Sequence, residues 1–331
     1  MFSRIGVLGA GAWGTALAYS TQQAGRDVLI WSREEEVAEA LSAGKGNPVF
    51  LPGMDLPAIP ATSSLDKIAE VDAILAVVPA QFARSVYQQL KPSLPEGIPF
   101  ALCSKGVEQG SLKLMAEVLA ETLPESPVAV LSGPSFAKDV AKGLPTAVTL
   151  ACADKALGNT WMESIGRAEF RPYWSDDIIG AEIGGAVKNV LAIACGIVEG
   201  LELGRSAHAA LISRGFAEMV RLGTAMGAKP ETLSGLCGLG DLVLTCSSSQ
   251  SRNMSFGKAL GEGRSMASIL AERNAVTEGV ASAPGVVALA ARHHIEMPIC
   301  QSVDDILSSR LTLNNAITRL IERPFRAESL A

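Results

Sequence analysis

Positive charge, histidine, paired cysteine and long apolar runs are all scarce in this chain, and each scarcity removes a class of function. With 28 Lys plus Arg against 34 Asp plus Glu, the formal net charge is −6. No basic field is available to grip a nucleic acid or an anionic membrane. A small anionic substrate remains open, because a pocket needs only a few local cations. The six cysteines, Cys103, Cys152, Cys195, Cys237, Cys246 and Cys300, stand singly with no C-x-x-C pair. That is poor material for a zinc site or a disulfide framework, and reduced thiols in a cytoplasmic protein are expected. The three histidines, His208, His293 and His294, offer neither a metal set nor an obvious general base, so no metal is expected. No uninterrupted apolar run approaches the roughly 18 residues of a membrane span. Arg4, the apolar residues after it and Ala18-Tyr19-Ser20 loosely mimic a signal peptide, but Gly6, Gly9, Gly11 and Gly14 interrupt them and the chain is read as unexported.

What is present is apolar material in abundance. Of 331 residues 48% are hydrophobic and 19% charged, enough for a sizeable core and, at this length, for two domains. The first half alternates short apolar runs (5–8, 28–31, 73–78, 100–103, 128–131 and 147–151) with helical stretches at 15–23, 83–90 and 113–121. Consecutive apolar positions suit strands covered on both faces, so a doubly wound parallel sheet is expected. After Trp174 strand-like runs nearly vanish. Stretches 176–198, 205–226, 265–273, 284–293 and 303–321 read as helix, and the residues after Pro324 as a loose tail. The expected domains are therefore an α/β one over 1–178 and an all-helical one over 179–331.

The first strand runs into Gly9-Ala10-Gly11-Ala12-Trp13-Gly14 and then a helix. This is G-x-G-x-x-G in the setting of a Rossmann-type dinucleotide fold. Gly9 permits the turn, Gly11 admits a pyrophosphate to the backbone, and Gly14 lets helix and strand close up. The phosphates would sit on the helix N-terminus. The second strand ends in Trp31-Ser32-Arg33-Glu34 rather than in an acid at the tip. Serine and arginine there suit a 2′-phosphate, which favours NADP(H) with NAD(H) tolerated; the plainer alternative is a solvated loop arginine.

Four further clusters place short polar groups and cations among glycines: Ser104-Lys105-Gly106, Ser132-Gly133-Pro134-Ser135, Gly184-Gly185-Ala186-Val187-Lys188-Asn189, and Gly238-Leu239-Gly240-Asp241 with Ser251-Arg252-Asn253 beyond it. Lys105 follows a strand whose carboxyl end faces the ligand crevice of such a sheet. Gly184, Gly185 and Lys188 share a helix face, and each interior glycine costs roughly 1 kcal/mol relative to alanine. Either another helix packs closely there or a ligand reaches the lysine. Lys188 is then the acid/base candidate, with Asp241 to orient it and Arg252 as a fork donor for phosphate. Singly, each cluster also reads as a turn, a snorkelling lysine or a helix N-cap.

Together these segments resemble the NAD(P)-dependent glycerol-3-phosphate dehydrogenases of bacterial type. The resemblance is carried by residues 9–18, by Ser132-Gly133-Pro134-Ser135-Phe136-Ala137, by Gly185-Ala186-Val187-Lys188-Asn189-Val190 with 196–204, by Gly240-Asp241-Leu242 with Thr245-Cys246, by Ser251-Arg252-Asn253 and by Val276-Thr277-Glu278-Gly279. It implies a helical second domain like the C-terminal one of 6-phosphogluconate dehydrogenase. It implies reversible reduction of dihydroxyacetone phosphate to sn-glycerol 3-phosphate for glycerophospholipid synthesis, by a cytoplasmic homodimer. Lys188 would carry the proton with Asp241 beside it. Lys105, Gly133, Ser135, Ser251, Arg252 and Asn253 would hold substrate. Gly9, Gly11, Ala12, Trp13, Gly14, Arg33, Lys105, Ala137, Arg252, Val276 and Glu278 would line the NADP(H) or NAD(H) site, with Phe82 a weaker candidate. Ser206 and Ser247 depart from the family pattern, at positions where asparagine and threonine are usual. The alternatives are a related 3-hydroxyacid dehydrogenase and a non-catalytic nucleotide-binding regulator.

Overall fold

Runs rich in valine, isoleucine, leucine and alanine supply most strands of one sheet: β1 (Arg4–Leu8), β2 (Asp27–Trp31), β3 (Ala61–Thr62), β4 (Ala73–Ala76), β5 (Phe100–Leu102), β6 (Val128–Ser132), β7 (Thr146–Ala151) and β8 (Phe170–Ser175). In the computed structural model, which describes residues 1–273 and 276–325, their order is β3-β2-β1-β4-β5-β6-β7-β8. Helices α1 (Ala12–Gln23), α2 (Glu35–Ser42), α3 (Ala83–Leu90), α4 (Met115–Thr122), α5 (Ala137–Ala141) and α6 (Lys155–Ile165) connect them. The strand period of two sends alternate residues to opposite faces. Ile5, Val7, Ala73 and Leu75 join a core with Leu17 of α1 and Trp161 of α6. On the other face the Gly6 backbone meets Ile68 and Val71, and Phe100 lies edge-on to Tyr87 of α3 at 5.8 Å. Both faces are covered, as the unbroken apolar runs require.

The parallel expectation holds from β3 across to β6 and fails beyond it. β6 and β7 pair antiparallel, and β7 and β8 pair parallel. An apolar run carries no direction, so its periodicity is the same either way. β8 escapes a search for apolar runs because it alternates Phe170-Arg171-Pro172-Tyr173 and is an edge strand. Thr146 N donates to Glu169 O and Cys152 N to Ser175 O, so odd-numbered β8 residues turn their polar groups toward β7. Pro172 falls on the side facing away, where a missing N–H costs no ladder bond and blunts an otherwise open edge.

The chain divides into two compact units, Met1–Lys105 with Leu114–Ile178, and Gly106–Lys113 with Ile179–Ala331. The excursion of 106–113 into the helical unit has no signature in composition. There, Val107 lies 3.2 Å from where a Cβ on Gly285 would stand, and Gln109 donates to the Ala281 carbonyl at 2.8 Å.

The helical unit contains α7 (Ile178–Gly200), α8 (Arg205–Ala225), α9 (Pro230–Leu233), α10 (Asp241–Cys246), α11 (Arg252–Gly261), α12 (Met266–Ala271), α13 (Glu278–Arg292), α14 (Pro298–Leu307) and α15 (Leu313–Ile321). Stretch 303–321, read as one helix, is two. Ser309 between them adopts φ +59°, and the Arg310 guanidinium turns back to Asp304 and Asp305. Stretch 284–293 belongs to a longer helix that starts at Glu278 and carries Pro284 within it. The tail expected after Pro324 lies outside the described residues from 326 onward. Among the described residues α7 alone is long and apolar enough to cross a membrane, and 89% of its most apolar window is buried inside the protein. It is the central core helix of its unit.

Glycines decide how α7 is packed. A Cβ at Gly196 would stand 2.0 Å from the Met254 carbonyl oxygen, one at Gly200 2.2 Å from that of Lys258, and one at Gly257 2.0 Å from that of Ile193. Helices α7 and α11 therefore touch backbone to backbone along a strip where only hydrogen fits.

Candidate active site

Two groups of side chains emerge, one in each unit. In the α/β unit, the loop from β1 to α1 has the form its glycines predict. Gly9 sits at φ +118° with the Val77 carbonyl 3.1 Å from a hypothetical Cβ, and a Cβ on Gly14 would lie 1.8 Å from the Gly9 carbonyl oxygen. Gly11 differs: a Cβ there would meet nothing within 4 Å. As N-cap of α1 it has φ −65° and ψ 179°, a conformation open to any residue. Protein packing therefore gives no reason for glycine at 11, while a dinucleotide pyrophosphate laid against the N–H groups of the first helical turn does. Ala12 and Trp13 start α1 and pack on the core beside it, as does Ala137 at the start of α5. Residues of this kind fit a nicotinamide dinucleotide. Phe82 projects from a short turn after β4 and is 50% exposed.

At the tip of β2, Arg33 is occupied. Its Nε and Nη2 donate to one Glu34 carboxylate oxygen at 3.1 and 2.7 Å, and the buried Ser32 hydroxyl donates to the other at 3.4 Å. Three strands further along the sheet, the ends of β5 and β6 bring Lys105, Gly133 and Ser135 together. The Gly133 carbonyl accepts from Lys105 Nζ at 3.3 Å and from Ser135 Oγ at 3.0 Å. Gly133 itself has φ +152° and no room for a side chain, since a Cβ would be 2.8 Å from Val148 Cα.

In the helical unit, Lys188 on α7 is buried and its Nζ donates to Asp241 Oδ1 at 2.9 Å and to Thr245 Oγ1 at 2.8 Å. Asp241 is 1% exposed. Thr245 closes the triangle by donating to Asp241 Oδ1 at 3.2 Å. A buried cation is tolerated only when paired and hydrogen-bonded, and Asp241 and Thr245 meet both demands. Gly184 makes this approach possible: a Cβ there would stand 2.4 Å from the Cys237 carbonyl oxygen. Its absence lets the π turn Leu236–Gly240, which leads directly into α10, lie on α7. Single π turns in helical proteins recur at functional sites. Of the two readings of these glycines, the structure shows close packing at Gly184, and that packing delivers Asp241 to Lys188. Asp241 and Thr245 stand four apart on α10, a spacing that makes Thr245 recoverable from sequence once Asp241 is chosen.

Ser251 caps α11 by accepting from Met254 N at 3.2 Å. Asn253 is held at both ends of its amide, donating to Asn189 Oδ1 and accepting from Gly279 N, each at 2.9 Å. A Cβ on Gly279 would collide with the Asn189 and Asn253 oxygens at 2.5 and 2.8 Å, so Thr277-Glu278-Gly279 is locked to the helix that carries Lys188. Arg252 reaches the surface but is crowded by protein. That crowding pulls its pKa below the usual arginine value, and the Glu278 carboxylate opposes the shift. Val276 lies exposed just before α13. Cys246 adjoins the lysine cluster; a hydrogen bond with Cys195 and burial hold its thiol well above the ordinary value.

A dinucleotide loop on the parallel part of the sheet, with a buried lysine–carboxylate pair in a helical unit of the same chain, is the equipment of a nicotinamide-dependent dehydrogenase. Family models settle which one. The N-terminal model of NAD-dependent glycerol-3-phosphate dehydrogenase matches residues 4–158 and the C-terminal model residues 177–318. The chain belongs to that family. It is 60% identical to glycerol-3-phosphate dehydrogenase [NAD(P)+] of Maricaulis maris over 329 residues, 99% of each chain. It is 57% identical to that of Caulobacter vibrioides, again over 99% of both. The crystal structure of glycerol-3-phosphate dehydrogenase from Coxiella burnetii shares 43% identity and a TM-score of 0.93, covering 97% of this chain and 99% of that one.

Proposed function

We propose that this chain reversibly reduces dihydroxyacetone phosphate to sn-glycerol 3-phosphate with NADPH or NADH, and that Lys188 moves the proton. The observation that carries it is the buried Lys188–Asp241–Thr245 triangle. The bound nicotinamide supplies the hydride. As C2 changes from ketone to alcohol, negative charge gathers on its oxygen. An ammonium held within reach stabilises that charge and hands over a proton, leaving Lys188 as the amine. Asp241 keeps the ammonium oriented, and in the oxidative direction the same lysine takes the proton back.

Lys105, Gly133 and Ser135 on the sheet, and Ser251, Arg252 and Asn253 at the start of α11, are assigned to the substrate. Arg252 offers a fork donor matched to its phosphate. Gly9, Gly11, Ala12, Trp13, Gly14, Arg33, Lys105, Ala137, Arg252, Val276 and Glu278 are assigned to the dinucleotide. The product is the backbone of glycerophospholipids, and the protein is assigned to the cytoplasm as a homodimer, the commonest symmetric assembly of soluble enzymes.

The test is loss of nicotinamide absorbance on adding dihydroxyacetone phosphate. Lys188→Ala should lower kcat by about 10²–10⁴-fold, the usual range for a lost acid/base group, while the Kd for NADPH or NADH stays within about twofold. Unchanged turnover, or lost cofactor affinity, would place Lys188 wrongly.

A further inference from the structure

The tip of β2 holds two groups suited to a 2′-phosphate, the Ser32 hydroxyl and the Arg33 guanidinium, and both are already bound to a third. Glu34 takes Nε and Nη2 of Arg33 on one carboxylate oxygen and the Ser32 hydroxyl on the other. The three partners differ in exposure. Ser32 is buried at 1% exposure, the Glu34 side chain is 29% exposed, and that of Arg33 is 77% exposed. Arginine is therefore the member most open to solvent, and serine and glutamate are the more enclosed ones. Glu35 and Glu36 follow in the first turn of α2, so residues 33–36 carry one cation and three carboxylates.

We infer that Glu34 sets the balance between NADH and NADPH, by competing with the 2′-phosphate for Ser32 and Arg33. The inference rests on the assignment of this strand tip to the adenine ribose. An unphosphorylated ribose has hydroxyls that donate to a carboxylate, and Glu34 presents one. A 2′-phosphate brings a dianion to the same place. It must draw Arg33 away from Glu34, displace the Ser32 hydroxyl, and then sit beside the carboxylate it has released. Like charges at that range repel, and the Glu34 side chain, which caps no backbone N–H of α2, stays beside the phosphate as an unneutralised carboxylate. Arg33 makes NADPH usable, and Glu34 limits how well.

The experiment uses the full-length protein and two probes that lack the nicotinamide, ADP-ribose and its 2′-phosphate, titrated by calorimetry. Glu34→Gln keeps the shape and removes the charge. It should tighten 2′-phospho-ADP-ribose roughly tenfold, a shift of the size of one lost like-charge contact, and raise the ratio of kcat/KM for NADPH over NADH in parallel. The double variant Arg33→Ala with Glu34→Gln should lose that gain, since the released guanidinium is what the phosphate takes. A folded Glu34→Gln protein whose affinity for the 2′-phosphate form is unchanged or weaker overturns the inference. If the wild-type chain binds neither probe, the cofactor assignment itself is wrong and the inference falls with it.

Discussion

Two glycines three positions apart, one at the N-cap of α1 and one in its first turn, are alike in sequence and opposite in physics. Gly14 is glycine because the Gly9 carbonyl oxygen occupies the place of its Cβ; Gly11 has nothing near that place. Gly14→Ala should therefore destabilise the protein by about 1–3 kcal/mol, the range for forced overpacking, visible as a lower Tm without any ligand present. Gly11→Ala should leave Tm within about a degree of wild type, consistent with an unstrained backbone, and instead weaken the dinucleotide, read as a raised Kd. A Gly11→Ala protein with normal cofactor affinity would refute the placement of the pyrophosphate. Lys188 is legible as a candidate from its glycine neighbours and from the family resemblance. Its partner Thr245 is legible only through its four-residue spacing from Asp241, because a threonine on a helix is ordinary until something joins it to a partner. Arg33 shows the reverse. The residue stands out in sequence, but the Glu34 carboxylate on its guanidinium has no signal beyond adjacency.

At the scale of elements, the same helix that carries Lys188 is packed through hydrogen atoms. Gly257→Ala would drive a methyl to 2.0 Å from the Ile193 carbonyl oxygen, and neither helix backbone can yield locally. A loss of about 2 kcal/mol or more is expected, with kcat falling as α7 shifts. Equal Tm in wild type and variant would show that α7 and α11 are further apart than they stand here. Helix α14 has a different weakness. Its first N–H groups, those of Ile299 and Cys300, donate to the buried Glu218 carboxylate at 2.7 and 3.1 Å. Burial nonetheless pushes the Glu218 carboxyl up from 4.5 to about 7, against the pull of those two bonds and of Arg221. The folded state thus holds this proton more tightly than the unfolded chain. Its contribution to stability is complete below about pH 4.5 and is lost as pH rises through about 7. The full change is on the order of 3 kcal/mol. Denaturant unfolding at pH 5 and pH 8 should show this slope, and Glu218→Gln should flatten it; an unaltered slope would assign it to other groups. The sheet is legible where apolar runs are dense, in β1, β2 and β4 to β7. It is not legible at β3, two residues long, nor at β8, where Pro172 and alternating polar residues obey the rules of an edge rather than of a core.

For the molecule as a whole, all six cysteines are free and buried. Burial pushes the Cys103 thiol up to about 12, with Lys105 pulling the other way, and it raises those of Cys152 and Cys300 as well. Thiols that are both buried and protonated react slowly. A bulky aromatic disulfide should therefore label essentially none of them in the native protein and all six after denaturation; rapid labelling of the native form would contradict this burial. The division of the chain into an α/β and a helical part is visible in sequence as the disappearance of strand-like runs after Trp174. The strap 106–113 is invisible there, because whether a loop belongs to one unit or the other is decided by what it touches. That strap has a consequence for how such a protein can be taken apart. A gene cut at the end of the α/β region would yield a helical fragment without Val107 to fill the space at Gly285 and without Gln109 to meet the Ala281 carbonyl. Its other product would carry a peptide loop whose proper neighbours had gone elsewhere. Neither half is a movable cassette; recombination that exchanged one at its apparent border would leave a scar in both.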